Sequence, residues 1–156
     1  MTNIIRNIVG DPELRDVIEF QQLIGQKLPP GSDPVHLKQR TLAQRVVLLQ
    51  EELDEFKAAC VSQDLEELAD ALVDLVYVAK GTAALMNLPW HRHWAEVHRA
   101  NMDKRPGVTK RGHEVDGAKP EGWEPPDHAT ILAQAGYDRA NYTTPITNAV
   151  DDHRCF

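Results

Sequence analysis

Carboxylates crowd two neighbouring stretches of this sequence: Glu51-Glu52-Leu53-Asp54-Glu55, then Glu66-Glu67-Leu68-Ala69-Asp70 with Asp74 four residues on. Side chains three residues apart on a helix share a face, so Glu52 with Glu55, and Glu67 with Asp70, each make a two-carboxylate clip if both stretches are helical. Acids converging between two helices repel one another and are driven towards protonation unless a positive charge sits between them. A hard divalent cation supplies that charge. Mg²⁺ takes oxygen ligands, keeps several waters and is commonly shared between carboxylates and substrate phosphates, which suits a cluster with no His or Cys among its acids. Asp70 and Asp74 also interrupt an otherwise apolar run, where an unpaired buried charge is costly. Two plainer readings compete: Glu51, Asp54 and Lys57 also fit a solvated charged face, and Glu67 also fits the third position of a capping box opened by Asp64. A di-iron site is not indicated, because the long helices lack Glu-x-x-His pairs; His91, His93 and His98 read as surface or edge residues of their helix.

The elements that must carry these acids are legible from punctuation and period. Between His36 and Lys104 only Gly81 and Pro89 interrupt, whereas Arg105 to Gly136 holds four Pro and five Gly, so a helical body precedes a looped tail. Asp11-Pro12-Glu13 reads as a cap, a first-turn proline and a first-turn acid, opening a first helix whose face runs through Leu14, Val17, Ile18 and Gln21 towards Ile24. After the break at Pro29-Pro30-Gly31-Ser32-Asp33-Pro34, Leu42, Val46, Leu49, Leu53, Phe56 and Cys60 recur at helical spacing, predicting a long amphipathic second helix. A tight connection at Val61-Ser62-Gln63 leads to a third helix from Leu65 to about Met86, and a fourth begins at Asn87-Leu88-Pro89 with Trp90, Trp94 and Val97 inward. That inward stripe continues through Asn101 and Lys104. Asp127 reads as the cap of a short helix over Ala129 to Ala135.

With the helical rise, and the second helix ending near Cys60, Glu55 and Glu52 lie roughly 7 and 12 Å above that end, while Glu67 and Asp70 lie roughly 5 and 9 Å above the start of the third. The two clips are therefore expected opposite each other. The third helix is apolar nearly all round, which places it at the centre of a bundle or at a subunit interface. The expected architecture is all-α: an antiparallel bundle of about four main helices, completed by oligomerisation. One domain spans 1–136, with its helical core at about 12–104 and a basic, Pro/Gly-rich loop at 105–127; an irregular tail follows at 137–156.

Composition narrows the partners. The 156 residues carry 17 Lys and Arg against 24 Asp and Glu, a net charge of −7, so no attraction to a nucleic-acid polymer or an anionic membrane is expected. No stretch reaches the roughly 18 uncharged residues of a membrane span. The first residues have no secretory layout, and two cysteines with no C-x-x-C pair give neither a disulfide framework nor a zinc site. A cytoplasmic setting, in a bacterial cell or a phage-infected one, is the expectation.

The set Glu52-x-x-Glu55 followed by Glu67-x-x-Asp70, within Glu66-Glu67-Leu68-Ala69-Asp70-Ala71-Leu72-Val73-Asp74, resembles the signature of the MazG-like all-α nucleoside triphosphate pyrophosphohydrolases. Leu88-Pro89-Trp90, Arg99-Ala100-Asn101-Met102-Asp103-Lys104 and Lys119-Pro120-Glu121-Gly122-Trp123 resemble small single-domain members from bacteria and their phages. The resemblance implies Mg²⁺-dependent cleavage, with Mn²⁺ as a substitute metal, between the α and β phosphates of a (deoxy)nucleoside triphosphate to give monophosphate and pyrophosphate. It implies metal binding by Glu52, Glu55, Glu67 and Asp70, and a Glu51 that binds metal or orients and deprotonates the attacking water. Asp74, Asn101, Lys104 and Arg105 are the candidate substrate contacts, the last two within a basic cluster with Lys110 and Arg111 that reads as a triphosphate-closing loop or as a charge-balanced surface loop. A homo-oligomer, dimer or tetramer, is implied. The alternatives are a pyrophosphohydrolase acting on a phosphoribosyl nucleotide and a non-catalytic helical interaction module.

Overall fold

The computed structural model describes residues 11–113 and 115–142. Helix α1 spans Pro12–Leu23, α2 Gln39–Ser62, α3 Leu65–Leu85 and α4 Trp90–Met102. A two-stranded hairpin follows, β1 Arg105–Gly107 and β2 Asp116–Ala118, then α5 His128–Gln134 and a 3₁₀ turn at Arg139–Tyr142. The all-α expectation holds, and the four main helices fall where capping and period place them. Among the described residues no helix is long and apolar enough to cross a membrane. Residues 143–156, most of the expected tail, lie outside the described residues.

Local chemistry sets the helix ends. The Asp11 carboxylate accepts the Leu14 N–H at 2.9 Å and Pro12 opens α1, as a first-turn proline should. Gln63, in the left-handed region at φ 55°, stops α2, and Asp64 at once caps α3 by accepting from the Glu66 and Glu67 amides. So short a connection folds α3 back antiparallel on α2. At the far end Asn87, at φ 50°, terminates α3: its N–H reaches Ala84 O and the Leu88 N–H reaches Ala83 O, satisfying carbonyls the helix leaves open.

Helix α3 is the central element, packed on α2 along one side and on α1 along another. Leu14, Ile18 and Ala84 form its small core cluster, with Leu28 and Trp90 against it. Ala59, Ala71, Ala83 and Ala84 are buried, and such small side chains let the helix axes approach closely. Side chains from both neighbouring helices press on Gly81. Its carbonyl accepts from Gln21 Nε2 at 3.0 Å, and a Cβ there would lie 2.9 Å from that same nitrogen and 3.0 Å from Arg45 Nη2. Glycine is disfavoured inside a helix by up to about 1 kcal/mol, but here it admits two side chains that any other residue would push aside.

A second tie joins α1 to α3. The buried Lys80 ammonium binds Asp11 at 2.8 Å and Glu13 at 2.5 Å, so the cation that interrupts the apolar run of α3 is matched by acids at the start of α1. Burial alone would drive Asp11 up and Lys80 down. Their hydrogen bonds and charges outweigh it, so Asp11 sits below the usual carboxylate range and Lys80 above the usual ammonium range.

The structure overturns part of the inward face expected for α4. Trp90 packs on the core, but Trp94 is 66% exposed and Val97 is exposed too. Helix α4 leaves the turn at Asn87–Pro89 and packs chiefly on α5, so little beyond its first turn meets the three-helix body. Leu72, Val73 and Val76 on α3, and Val46 and Leu53 on α2, are also exposed, so the period marks an apolar face that the single chain leaves uncovered.

The tail is more ordered than its Gly and Pro content suggests. Arg105 pairs with Ala118 and Gly107 with Asp116 in the hairpin, where the sequence predicts only a loop. Asp116 binds Arg111 at 2.7 Å and accepts from the Thr109 hydroxyl, closing the loop on itself. Trp123 Nε1 donates to Ala100 O at 2.7 Å, fixing the following segment to α4. His93, expected at a surface or an edge, is half-buried with its Nδ1 2.9 Å from Nδ1 of His128 on α5. Burial, then His128 and Arg92, lower its pKa and favour the neutral ring that such a contact requires.

Replacing Lys80 with Met removes the counter-charge of a buried carboxylate and is expected to cost roughly 3 kcal/mol in urea unfolding at neutral pH. The depressed Asp11 pKa gives stability that is present above its unfolded value of about 3.9 and lost as pH falls through the folded value. The acid limb of a stability–pH curve should accordingly be shallower in Lys80→Met than in the parent.

Candidate active site

One pin sets the levels of the α2–α3 acids. Arg45 Nε donates to Thr82 Oγ1 at 2.9 Å and Nη2 to Val78 O at 2.6 Å. Counting seven residues from Arg45 along α2 and seven back from Thr82 along α3 brings Glu52 level with Leu75, beside Asp74. On the same count Glu55 falls between Asp70 and Asp74, and Glu67 falls level with Cys60, beyond Glu55. The clip facing Glu52 and Glu55 is therefore Asp70 with Asp74, with Glu67 at the outer edge. The difference from the level estimate arises because α2 runs two residues past Cys60, which slides α3 outward relative to α2.

Electrostatics carries the same message. Burial, then Asp74, Glu55, Glu51 and Asp70 in that order, push the Glu52 carboxyl above its ordinary range. Four carboxylates act on a fifth with no cation among the causes. Glu52 and Asp74 are half-buried, whereas Glu51, Glu55, Glu67 and Asp70 are exposed, so the acids line an open face rather than a closed cage. Among the described residues no group of three or more His, Cys, Asp or Glu side chains is drawn close enough to enclose a metal ion. The donor chemistry nevertheless suits Mg²⁺, which is held through oxygens and completes its shell with water and substrate.

Neighbouring acids separate cleanly from this set. Asp54 is held by Lys57 at 2.8 Å and by Gln50 at 2.9 Å, so the solvated-face reading holds for this pair. Asp64 caps the Glu66 and Glu67 amides, but the Glu67 carboxylate makes no reciprocal bond among the described residues and stays available.

Asn101 and Lys104 bond to each other and, among the described residues, to none of these acids. Lys104 Nζ donates to Asn101 Oδ1 at 2.8 Å and lies 6.0 Å from the Trp123 ring, while its stem packs under Gly117. Lys119 covers the same ring at 4.2 Å. Arg105 is exposed beside Trp123 in a separate shallow cleft with Arg99 and Glu124. These residues form a basic, aromatic patch at the C-terminal end of α4. Sequence reading missed Arg45, whose level on the α2–α3 seam emerges only once the helices are paired; its helical spacing to Glu52 was the available signal.

A family model described as phosphoribosyl-ATP pyrophosphohydrolase matches residues 17–101, more than half of the chain, from within α1 almost to the end of α4. That span contains every acid of the site. No curated protein matches the chain.

Because Glu52 is crowded by like charges, Glu52→Gln is expected to raise the melting temperature of the metal-free protein by roughly 1–2 °C at neutral pH. The raised pKa predicts that this gain shrinks in acid, where the parent side chain is itself protonated. Thermal unfolding at pH 7 and pH 4, both with chelator, checks it.

Proposed function

We propose, because the chain belongs to the phosphoribosyl-ATP pyrophosphohydrolase family and so to the MazG-like all-α nucleoside triphosphate pyrophosphohydrolase superfamily, that its α2–α3 acid face cleaves the α–β phosphoanhydride of a nucleotide. Pyrophosphate leaves and a monophosphate remains. The observation that carries the reading is the gathering of Glu51, Glu52, Glu55, Asp70 and Asp74 along one face of the α2–α3 pair, within the span that the family model matches. Glu52, Glu55 and Asp70 would hold Mg²⁺, with Glu67 reaching in from the outer edge; when bound, the metal neutralises phosphate charge and polarises phosphorus. Asp74, beside the level of Glu52, would add a further carboxylate to the same face. Glu51 accepts the proton of the attacking water; oxygen adds to phosphorus, and the electron pair of the broken anhydride departs with pyrophosphate.

The family match favours a phosphoribosyl nucleotide over the free (deoxy)nucleoside triphosphate that the sequence places first. The free nucleotide remains a second reading, supported by the likeness of Leu88-Pro89-Trp90 and Lys119-Pro120-Glu121-Gly122-Trp123 to small bacterial and phage proteins. An assembly belongs to the proposal as well: the exposed Leu72, Val73, Val76 and Trp94 are apolar surface of the kind a second copy of the chain covers.

Phosphoribosyl-ATP, ATP and the common dNTPs, each with Mg²⁺ and with chelator, are expected to yield monophosphate and pyrophosphate by phosphorus NMR, fastest for the first. Chelator should abolish turnover, and Asp70→Asn should lower kcat at least about 100-fold in a protein that still folds. Turnover that survives chelation overturns the metal assignment. Sedimentation equilibrium is expected to give a dimer or tetramer, and Val73→Glu to shift it towards monomer; a parent monomer at micromolar concentration refutes the assembly.

A further inference from the structure

A cleft of about 870 Å³ lies beside the N-terminal half of α2 and is lined in part by Gln26, Gln39, Arg40, Gln44, Arg45 and Leu85. Among the described residues no carboxylate contributes to its lining, although the chain carries a net charge of −7. Arg45 is half-buried, and both its bonds go to neutral oxygens, Thr82 Oγ1 and Val78 O. Burial lowers its pKa and no acid opposes that shift. Arg40 makes no hydrogen bond or ion pair among the described residues. A part-buried guanidinium without a counter-ion is costly, and a second one beside it adds repulsion. The missing component is an anion. Guanidinium groups match phosphate oxygens in geometry as well as charge, and the glutamine amides can donate to phosphate or sugar hydroxyls.

Placement links this cleft to the acids. Arg45 precedes Glu52 by seven residues, two turns along the same face of α2, or roughly 10 Å. Val47 and Leu48, the cleft's nearer wall, stand one turn from Glu51 and Glu52. A nucleotide that carries its triphosphate at one end and a phosphate monoester on a second ribose at the other presents anions to both places at once.

We propose that Arg45 and Arg40 form a binding subsite for the phosphate monoester of a phosphoribosyl group, so that the groove selects substrates phosphorylated at both ends. This rests on the reading of the α2–α3 acids as the anhydride-cleaving site. Arg45 has a double role, since the bonds that pin α2 to α3 also hold its guanidinium at the cleft.

Two measurements on the full chain test it. In the first, ribose 5-phosphate, ribose and inorganic phosphate are titrated into metal-free protein and followed by amide shifts. Ribose 5-phosphate is expected to move the resonances of the cleft, ribose is not, and Arg40→Gln and Arg45→Gln should each weaken the binding about tenfold. In the second, the ratio of KM for phosphoribosyl-ATP to KM for ATP is expected to rise about tenfold in both variants. Exposed Arg40 can be replaced without touching the α2–α3 pin, so it remains informative if Arg45→Gln unfolds. An unmoved cleft, an inorganic phosphate that binds as tightly as the monoester, or a KM ratio unchanged in Arg40→Gln overturns the subsite. If the parent hydrolyses no nucleotide, the anhydride-cleaving reading fails, while the ribose 5-phosphate titration still decides the subsite.

Discussion

Everything in this molecule is referred to the register of α2 against α3, and one guanidinium holds that register. Two antiparallel helices with small residues at their contact can slide by a turn at modest cost in packing, because alanine fits many grooves equally well. Arg45 removes that freedom by binding a carbonyl and a hydroxyl four residues apart on α3. A slip by one turn would strand a part-buried cation as well as remove contacts, and the penalty of an unsatisfied buried charge exceeds that of a lost apolar contact. Gly81 makes the tie possible by leaving room for the guanidinium at the helix surface.

The same seam shows how stability and chemistry divide the helix. Towards the Arg45 end, α3 is buried and neutralised, with Gly81, Ala83, Ala84 and Leu85 inside and Lys80 matched to Asp11 and Glu13. Towards the connection at Gln63, α3 carries its acids on an open face, and their mutual repulsion works against folding. Firm packing at one end offsets frustration at the other, an arrangement expected where local rules are broken for a site.

Most of the fold was legible because caps and period are local. Asp11-Pro12, Asp64 and Asp127 cap the helices that their sequence positions indicate, and the α2–α3 turn lies where the period breaks. The acid set was legible as a set, but its pairing was not: two further helical residues, Val61 and Ser62, decide whether Asp70 or Asp74 stands beside Glu52. Helix ends are the least determined part of a sequence reading. Trp94 and Asn101 were misplaced for a different reason. Period identifies a face without saying how much of it is covered, and α4 buries only the start of that face, at Trp90, leaving Trp94 and Asn101 exposed. The hairpin escaped because Gly and Pro signal a turn or a loop equally well, and its three-residue strands are too short to show alternation.

The turn between α3 and α4 has a mechanical meaning. Helix α4 stands on Asn87–Pro89 as a rod about 20 Å long and carries the hairpin at its far end, so a tilt of about 10° at its base would carry that end roughly 3 Å. The base is braced: Asn87 Nδ2 donates to the carbonyls of Gly31 and Asp33, and the Val35 N–H to Met86 O. The strap that follows the hairpin, from Lys119 through α5 to Tyr137, returns to the same loop, where the Tyr137 hydroxyl meets His36 Nε2 at 2.8 Å. Rod, strap and loop thus close a triangle, and a triangle, unlike a hinge, changes its angles only when one of its sides gives way.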